Sequence, residues 1–160
     1  MPYTAINRTR IVMDPVYRID VERNLVSLKW EEFPTLAQLR EVVGNAVADP
    51  EFHNGMNFLW DRKPGAPNNA TVEWLREAVY FLEVLGEQVG KHAWAIVTHN
   101  ASDFGKARMI EAMTDQSQVI VRAFQSCGDA EEWLRHPVRF EPEIVHFPAR
   151  SPSLLHPRFA

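Results

Sequence analysis

Val119-Ile120-Val121-Arg122-Ala123-Phe124-Gln125-Ser126-Cys127-Gly128-Asp129-Ala130-Glu131-Glu132-Trp133-Leu134-Arg135 reads as a buried strand, a tight turn and a short amphipathic helix. Val119, Ile120 and Val121 are β-branched and flanked by polar residues, which suits a strand. Ser126 can cap a helix whose first turn holds Asp129. Ala130, Trp133 and Leu134 then share one helical face. A strand feeding a helix in this way is the unit of an α/β fold, and the rest of the chain repeats it.

Moving toward the N-terminus, Ala93-Trp94-Ala95-Ile96-Val97-Thr98 is a second apolar strand, followed by a helix that Ser102 or Asp103 can cap. Before it lies a long helix over about 70–89, closed by Gly90. Met56-Asn57-Phe58-Leu59-Trp60-Asp61 is apolar on both faces, as a strand inside a covered sheet must be. Thr35 with Gln38 forms a capping-box pattern ahead of Leu36, Leu39, Val43, Ala46 and Val47 at helical spacing, and Asp49-Pro50 ends that helix. Tyr17–Val21 alternates apolar and polar, and Leu25–Trp30 follows after the short turn Glu22-Arg23-Asn24, so the two predict an antiparallel hairpin. The predicted order is β-β-α-β-α-β-α-β-α, an α/β fold with a mixed, mostly parallel five-stranded sheet. Trp60, Ile96 and Val121 are expected on central parallel strands, with Tyr17–Val21 antiparallel at one end. Parallel crossovers of this kind are right-handed. Residues 1–14 are expected to form an N-terminal arm, 15–136 the domain, and 137–160 a tail with five prolines, within which Ile144–Phe147 could add a short strand or lie over a groove.

Composition bounds the function. A chain of 160 residues that is 46% hydrophobic can bury one real core. A net charge of −4 argues against nucleic-acid binding, which wants a basic stripe. No apolar run approaches the length of a spanning helix, and no secretory signal is visible, so a cytoplasmic location is expected. Cys127 is the single cysteine and makes neither an internal disulfide nor a thiolate zinc cage.

The element order, together with Arg122-Ala123-Phe124-Gln125-Ser126 and Ala130-Glu131-Glu132-Trp133-Leu134, resembles the SpoIIAA-like proteins, small bacterial domains related to the STAS domains of anti-sigma-factor antagonists. The resemblance covers roughly Val16 to Arg135. It implies a curved sheet built as a right-handed βα superhelix, no cofactor, no catalytic role, and action through a protein partner in a bacterial regulatory system. Regulatory STAS antagonists carry a phosphorylatable serine in a turn after their central strand. The matching turn here is Asp61-Arg62-Lys63-Pro64-Gly65, with no serine, and Thr71 stands too far on to replace it. No phospho-switch is expected at that turn.

Ligands of parallel sheets bind at the rim of strand C-termini and helix N-termini. That rim gathers Asp61, Arg62, Lys63, Thr98, His99, Asn100, Ser102, Asp103 and Ser126, with Lys106 and Arg108 placed near a helix start. Arg62, Lys63, Lys106 and Arg108 suit an anionic patch on a partner or a phosphate-bearing small molecule. The plainer reading is solvated charge paired with Asp61 and Asp103. His99 follows an apolar strand, a position suited to catalysis, yet no G-x-S-x-G, H-x-H or H-E-x-x-H pattern accompanies it, and no metal site is expected. Cys127 at a helix start reads as a small filler rather than a reactive thiol.

The long helix carries a sheet-facing stripe of Val72, Leu75, Ala78, Val79, Leu82, Leu85 and Val89, widened on one flank by Trp74 and Phe81. Their cover could be a second subunit, the Pro-rich tail, an apolar ligand, or a neighbouring helix. The sequence reading takes Trp74 and Phe81 as homodimer anchors. Three functions stay open: protein-protein interaction, carriage or sensing of a small apolar or amphipathic ligand, and a small hydrolase using His99.

Overall fold

The computed structural model describes residues 16–30, 32–62, 64–65 and 68–136. The arm 1–14, the tail 137–160 with its Ile144–Phe147 segment, and Lys63 lie outside the described residues. Nine elements follow the predicted order: β1 Tyr17–Asp20, β2 Leu25–Leu28, α1 Leu36–Ala48, β3 Asn57–Asp61, α2 Val72–Val89, β4 His92–Val97, α3 Ala101–Met113, β5 Val119–Phe124 and α4 Cys127–Arg135. The helix starts follow their caps. Thr35 and Gln38 complete a capping box on α1, while Thr71, Asn100 and Ser126 each accept an N–H of the first turn of α2, α3 and α4.

The sheet is five-stranded and mixed, in the order β1-β2-β3-β4-β5. The β1–β2 hairpin is antiparallel, and β2–β3, β3–β4 and β4–β5 are parallel. Strand order equals chain order, so β5 is an edge strand among the described residues. Val121 therefore sits at the edge rather than in the centre. Its β-branched run looked central because helices cover both faces there.

Alternation along the strands sorts two cores. Val26, Leu28, Phe58, Trp60, Trp94, Ile96, Val119 and Val121 point to one face, under α1, α2 and α3. Phe58 and Trp94 stack there with centroids 4.5 Å apart and planes 5° from parallel, an arrangement worth about 0.5–1.5 kcal/mol beyond burial. Leu25, Leu59, Ala93, Ala95 and Val97 point to the other face, where α4 covers them with Ala130 and Leu134. The alanines at 93 and 95 let α4 lie close. A polar pair sits inside the first core: Trp94 Nε1 donates to His92 Nε2 at 2.9 Å, and His92 Nδ1 lies 2.9 Å from Gly90 O.

Trp74 is partly buried by residues of its own chain. Its ring lies 4.7 Å from Phe33 and 6.3 Å from Trp60, and both Trp74 and Phe81 pack on the first core. Phe33, which precedes α1 and belongs to no periodic pattern, supplies part of the cover of Trp74. The outward large apolar side chains of α2 are Tyr80, 67% exposed, and Val72 of its first turn, 45% exposed and so off the sheet-facing stripe. No helix among the described residues is long and apolar enough to cross a membrane.

Candidate functional site

Because β2 to β5 run parallel, their C-termini share one rim with the starts of α2, α3 and α4. Asp61 and Arg62 leave β3 consecutively, and the pleat sends them to opposite faces. The rim is therefore two half-sites, one over each face of the sheet.

On the three-helix side, the Arg62 side chain is 6% exposed, with Nη2 3.7 Å from Asp103 Oδ2. Its guanidinium lies 4.7 Å from the centre of the Phe33 ring. Burial pushes the guanidinium below its usual pKa, and the Asp103 carboxylate pulls it back up; the group stays cationic. Asp103 is fixed in turn by Asn100, whose Nδ2 donates to Asp103 Oδ2 at 3.0 Å and whose Oδ1 accepts the Asp103 N–H at 2.8 Å. Lys106, in the second turn of α3, donates to Asn68 O at 3.0 Å and ties down the loop before α2. Phe33, Trp60, Trp74, Arg62, Asp103 and Lys106 line a cleft of ≈ 20 Å³. That space suits about one water. The Trp74 indole Nε1 is buried there with no hydrogen-bond partner among the described residues.

Arg108 is not at the rim. It lies halfway along α3, exposed, with Nη1 2.6 Å from Glu111 Oε1. The other oxygen of Glu111 accepts the Ala123 N–H of β5 at 3.0 Å. Arg108 thus steadies a carboxylate that caps the sheet edge. Its expected place near a helix start counted from the sequence without knowing that α3 begins at Ala101.

On the α4 side, His99 Nε2 lies 2.9 Å from Asp61 Oδ1, both side chains about one-third exposed (30% and 29%). Cys127 opens α4 nearby. Burial pushes its thiol pKa up, the Asp61 and Glu131 carboxylates push it further, and Lys29 offsets part of this. The imidazole is bonded to Asp61, and that same carboxylate, with Glu131 and burial, favours the protonated sulfur. A nucleophile–base pair needs the imidazole on the sulfur, and this arrangement does not provide it. Among the described residues no group of three His, Cys, Asp or Glu could hold a metal ion.

Among the described residues, the sheet beside Asp61 is only partly covered. Helix α4 lies over β3, β4 and β5, so β1 and β2 floor an open trough of ≈ 660 Å³. Arg18, Arg23 and Lys29 line it together with Asp20, Asp61 and Glu131, over Leu25 and Leu59. Sequence reasoning placed only Asp61 in this region. The available signal was the alternation of β1, which puts Arg18 and Asp20 on the face opposite Tyr17 and Ile19. Ser126 caps α4 and Thr71 caps α2 through their hydroxyl oxygens. No family model, curated protein or solved structure gives a significant match to this chain.

Proposed function

We propose that the chain is a SpoIIAA-like, STAS-type domain that works by protein-protein interaction in a bacterial regulatory system, without catalysis. The observation that carries this reading is the contrast between the two faces. The space beneath the three helices is ≈ 20 Å³, whereas the trough on the other face is ≈ 660 Å³ and lined by three cations and three carboxylates. A carrier of apolar ligands needs an enclosed apolar pocket of several hundred Å³. A polar trough with mixed charges suits a protein surface, where complementary charge sets specificity and encounter rate. The ending from Arg122 to Leu134 and the element order supply the family part of the reading. The turn at Asp61 carries no hydroxyl, and Thr71 uses its oxygen as a cap, which fits a partner contact that is not phospho-switched.

Cross-linking mass spectrometry in the source cells tests it, comparing wild type with Asp61→Lys and Lys29→Glu. A partner whose cross-links map to the trough, and which both variants lose, is the expected result. Native mass spectrometry showing a co-purified lipid-like ligand would overturn the reading in favour of a carrier. Stoichiometric phosphate on Thr71 would restore a phospho-switch.

A further inference from the structure

The two edges of the sheet are treated differently. At β5 the Glu111 carboxylate caps the outward Ala123 N–H, and Val119 and Val121 are 0% and 2% exposed beside α3. At β1 no such guard stands among the described residues. The ladder fixes which groups face outward there. Lys29 N–H donates to Val16 O at 2.8 Å, which makes Val16–Lys29 a hydrogen-bonded pair. Hydrogen-bonded pairs alternate in an antiparallel ladder, so Arg18 opposite Ser27 and Asp20 opposite Leu25 also turn their backbone groups to β2. Tyr17 and Ile19 then turn their N–H and C=O groups away from the sheet. An open strand edge of this kind is a template for a further strand.

We propose that β1 pairs antiparallel with β1 of a second copy of this chain, about a two-fold axis at Ile19, joining two sheets into one of double width. The register is argued from three coincidences. Ile19 meets Ile19 of the partner subunit as a hydrogen-bonded pair, which is the pair its outward groups can form. Arg18 meets Asp20 of the partner subunit, and Asp20 meets the partner's Arg18. These are non-hydrogen-bonded pairs, whose side chains approach most closely. Val21, 52% exposed in the monomer, meets Tyr17 of the partner subunit. A two-fold contact must be self-complementary in this way, and the sequence Tyr17-Arg18-Ile19-Asp20-Val21 has that pattern about its middle residue.

Sedimentation velocity over a concentration series, with amide hydrogen exchange of Ile19, tests the proposal. Wild type is expected to dimerise, with Ile19 protection rising with protein concentration. Arg18→Asp and Asp20→Arg each turn two attractive contacts repulsive and should weaken association by about tenfold or more. The double variant R18D/D20R exchanges the charges and should recover association relative to D20R. Circular dichroism confirms that the variants fold, which the exposure of Arg18 favours. A wild type that stays monomeric at high micromolar concentration overturns the proposal. So does a dimer indifferent to both reversals, or an Ile19 amide whose protection ignores concentration, which would assign the edge to an occupant from the same chain.

Discussion

His92 is held neutral by its surroundings. Nε2 accepts the Trp94 indole N–H, Nδ1 lies against Gly90 O, and the residue is 1% exposed. A second ring proton would meet the indole N–H head on. Burial accordingly lowers its pKa, with the Gly90 carbonyl opposing. The unfolded chain, with an ordinary His value of about 6.5, therefore takes up the proton first. The stabilisation is whole above that value and is lost as pH falls from it toward the folded-state value. His92→Leu removes the titration and leaves the Trp94 N–H unpaired, at about 1–3 kcal/mol. In urea unfolding at a series of pH values, the gap between wild type and His92→Leu should narrow on acidification below about pH 6.5. A gap that ignores pH would show that His92 does not titrate with folding. The apolar run begins at Ala93 in the sequence and leaves His92 outside it, whereas the fold includes His92 in β4 and joins its ring to the Trp94 indole. The same limit applied at the rim. The sequence shows Asp61 and Arg62 as neighbours in one patch, but the pleat separates them, giving Asp61 to His99 and Arg62 to Asp103.

The elements were legible where local chemistry decides them. Capping at Thr35 and Ser126, the β-branched run at 119–121 and the stop at Asp49 set boundaries within a residue or two of those observed. Packing between elements was not legible, and the glycines of the helices show why. Gly44 in α1 and Gly86 in α2 look alike in sequence. A Cβ at Gly44 would meet nothing within 4 Å, whereas one at Gly86 would lie 3.0 Å from Gln118 Cβ and 3.3 Å from its carbonyl carbon. The close approach lets α2 lie against the segment entering β5. Gly44→Ala should therefore stabilise by about 0.5–1 kcal/mol through helix propensity. Gly86→Ala must push backbone aside and should destabilise despite the same propensity gain. Thermal unfolding of the two variants checks the sign of each; stabilisation by both would mean that α2 does not need the contact.

For the whole molecule, strand order equal to chain order has a consequence for how the chain is made. Each strand pairs with the strand before it, and β2 to β5 each have their neighbour already synthesised. No strand waits for a later segment to be inserted beside it, so loop closure proceeds over short separations. The exception is α4, which leaves the synthesis machinery last of the described elements and returns beneath β3 and β4 to cover Leu25, Leu59 and Ala95. Until then one side of the sheet shows apolar side chains to water while the three-helix side can already close. A nascent chain should thus gain protease resistance in steps as successive βα units emerge, with the α4 step the last within residues 16–136. Limited proteolysis of released, truncated chains ending after Gly90, Gln118 and His136 would show those steps. A single jump only at the longest chain would mean that the sheet forms all at once. The growth path ends where Ala130 settles on the two small alanines of β4, making that fit the latch on a domain otherwise assembled in the order it is read.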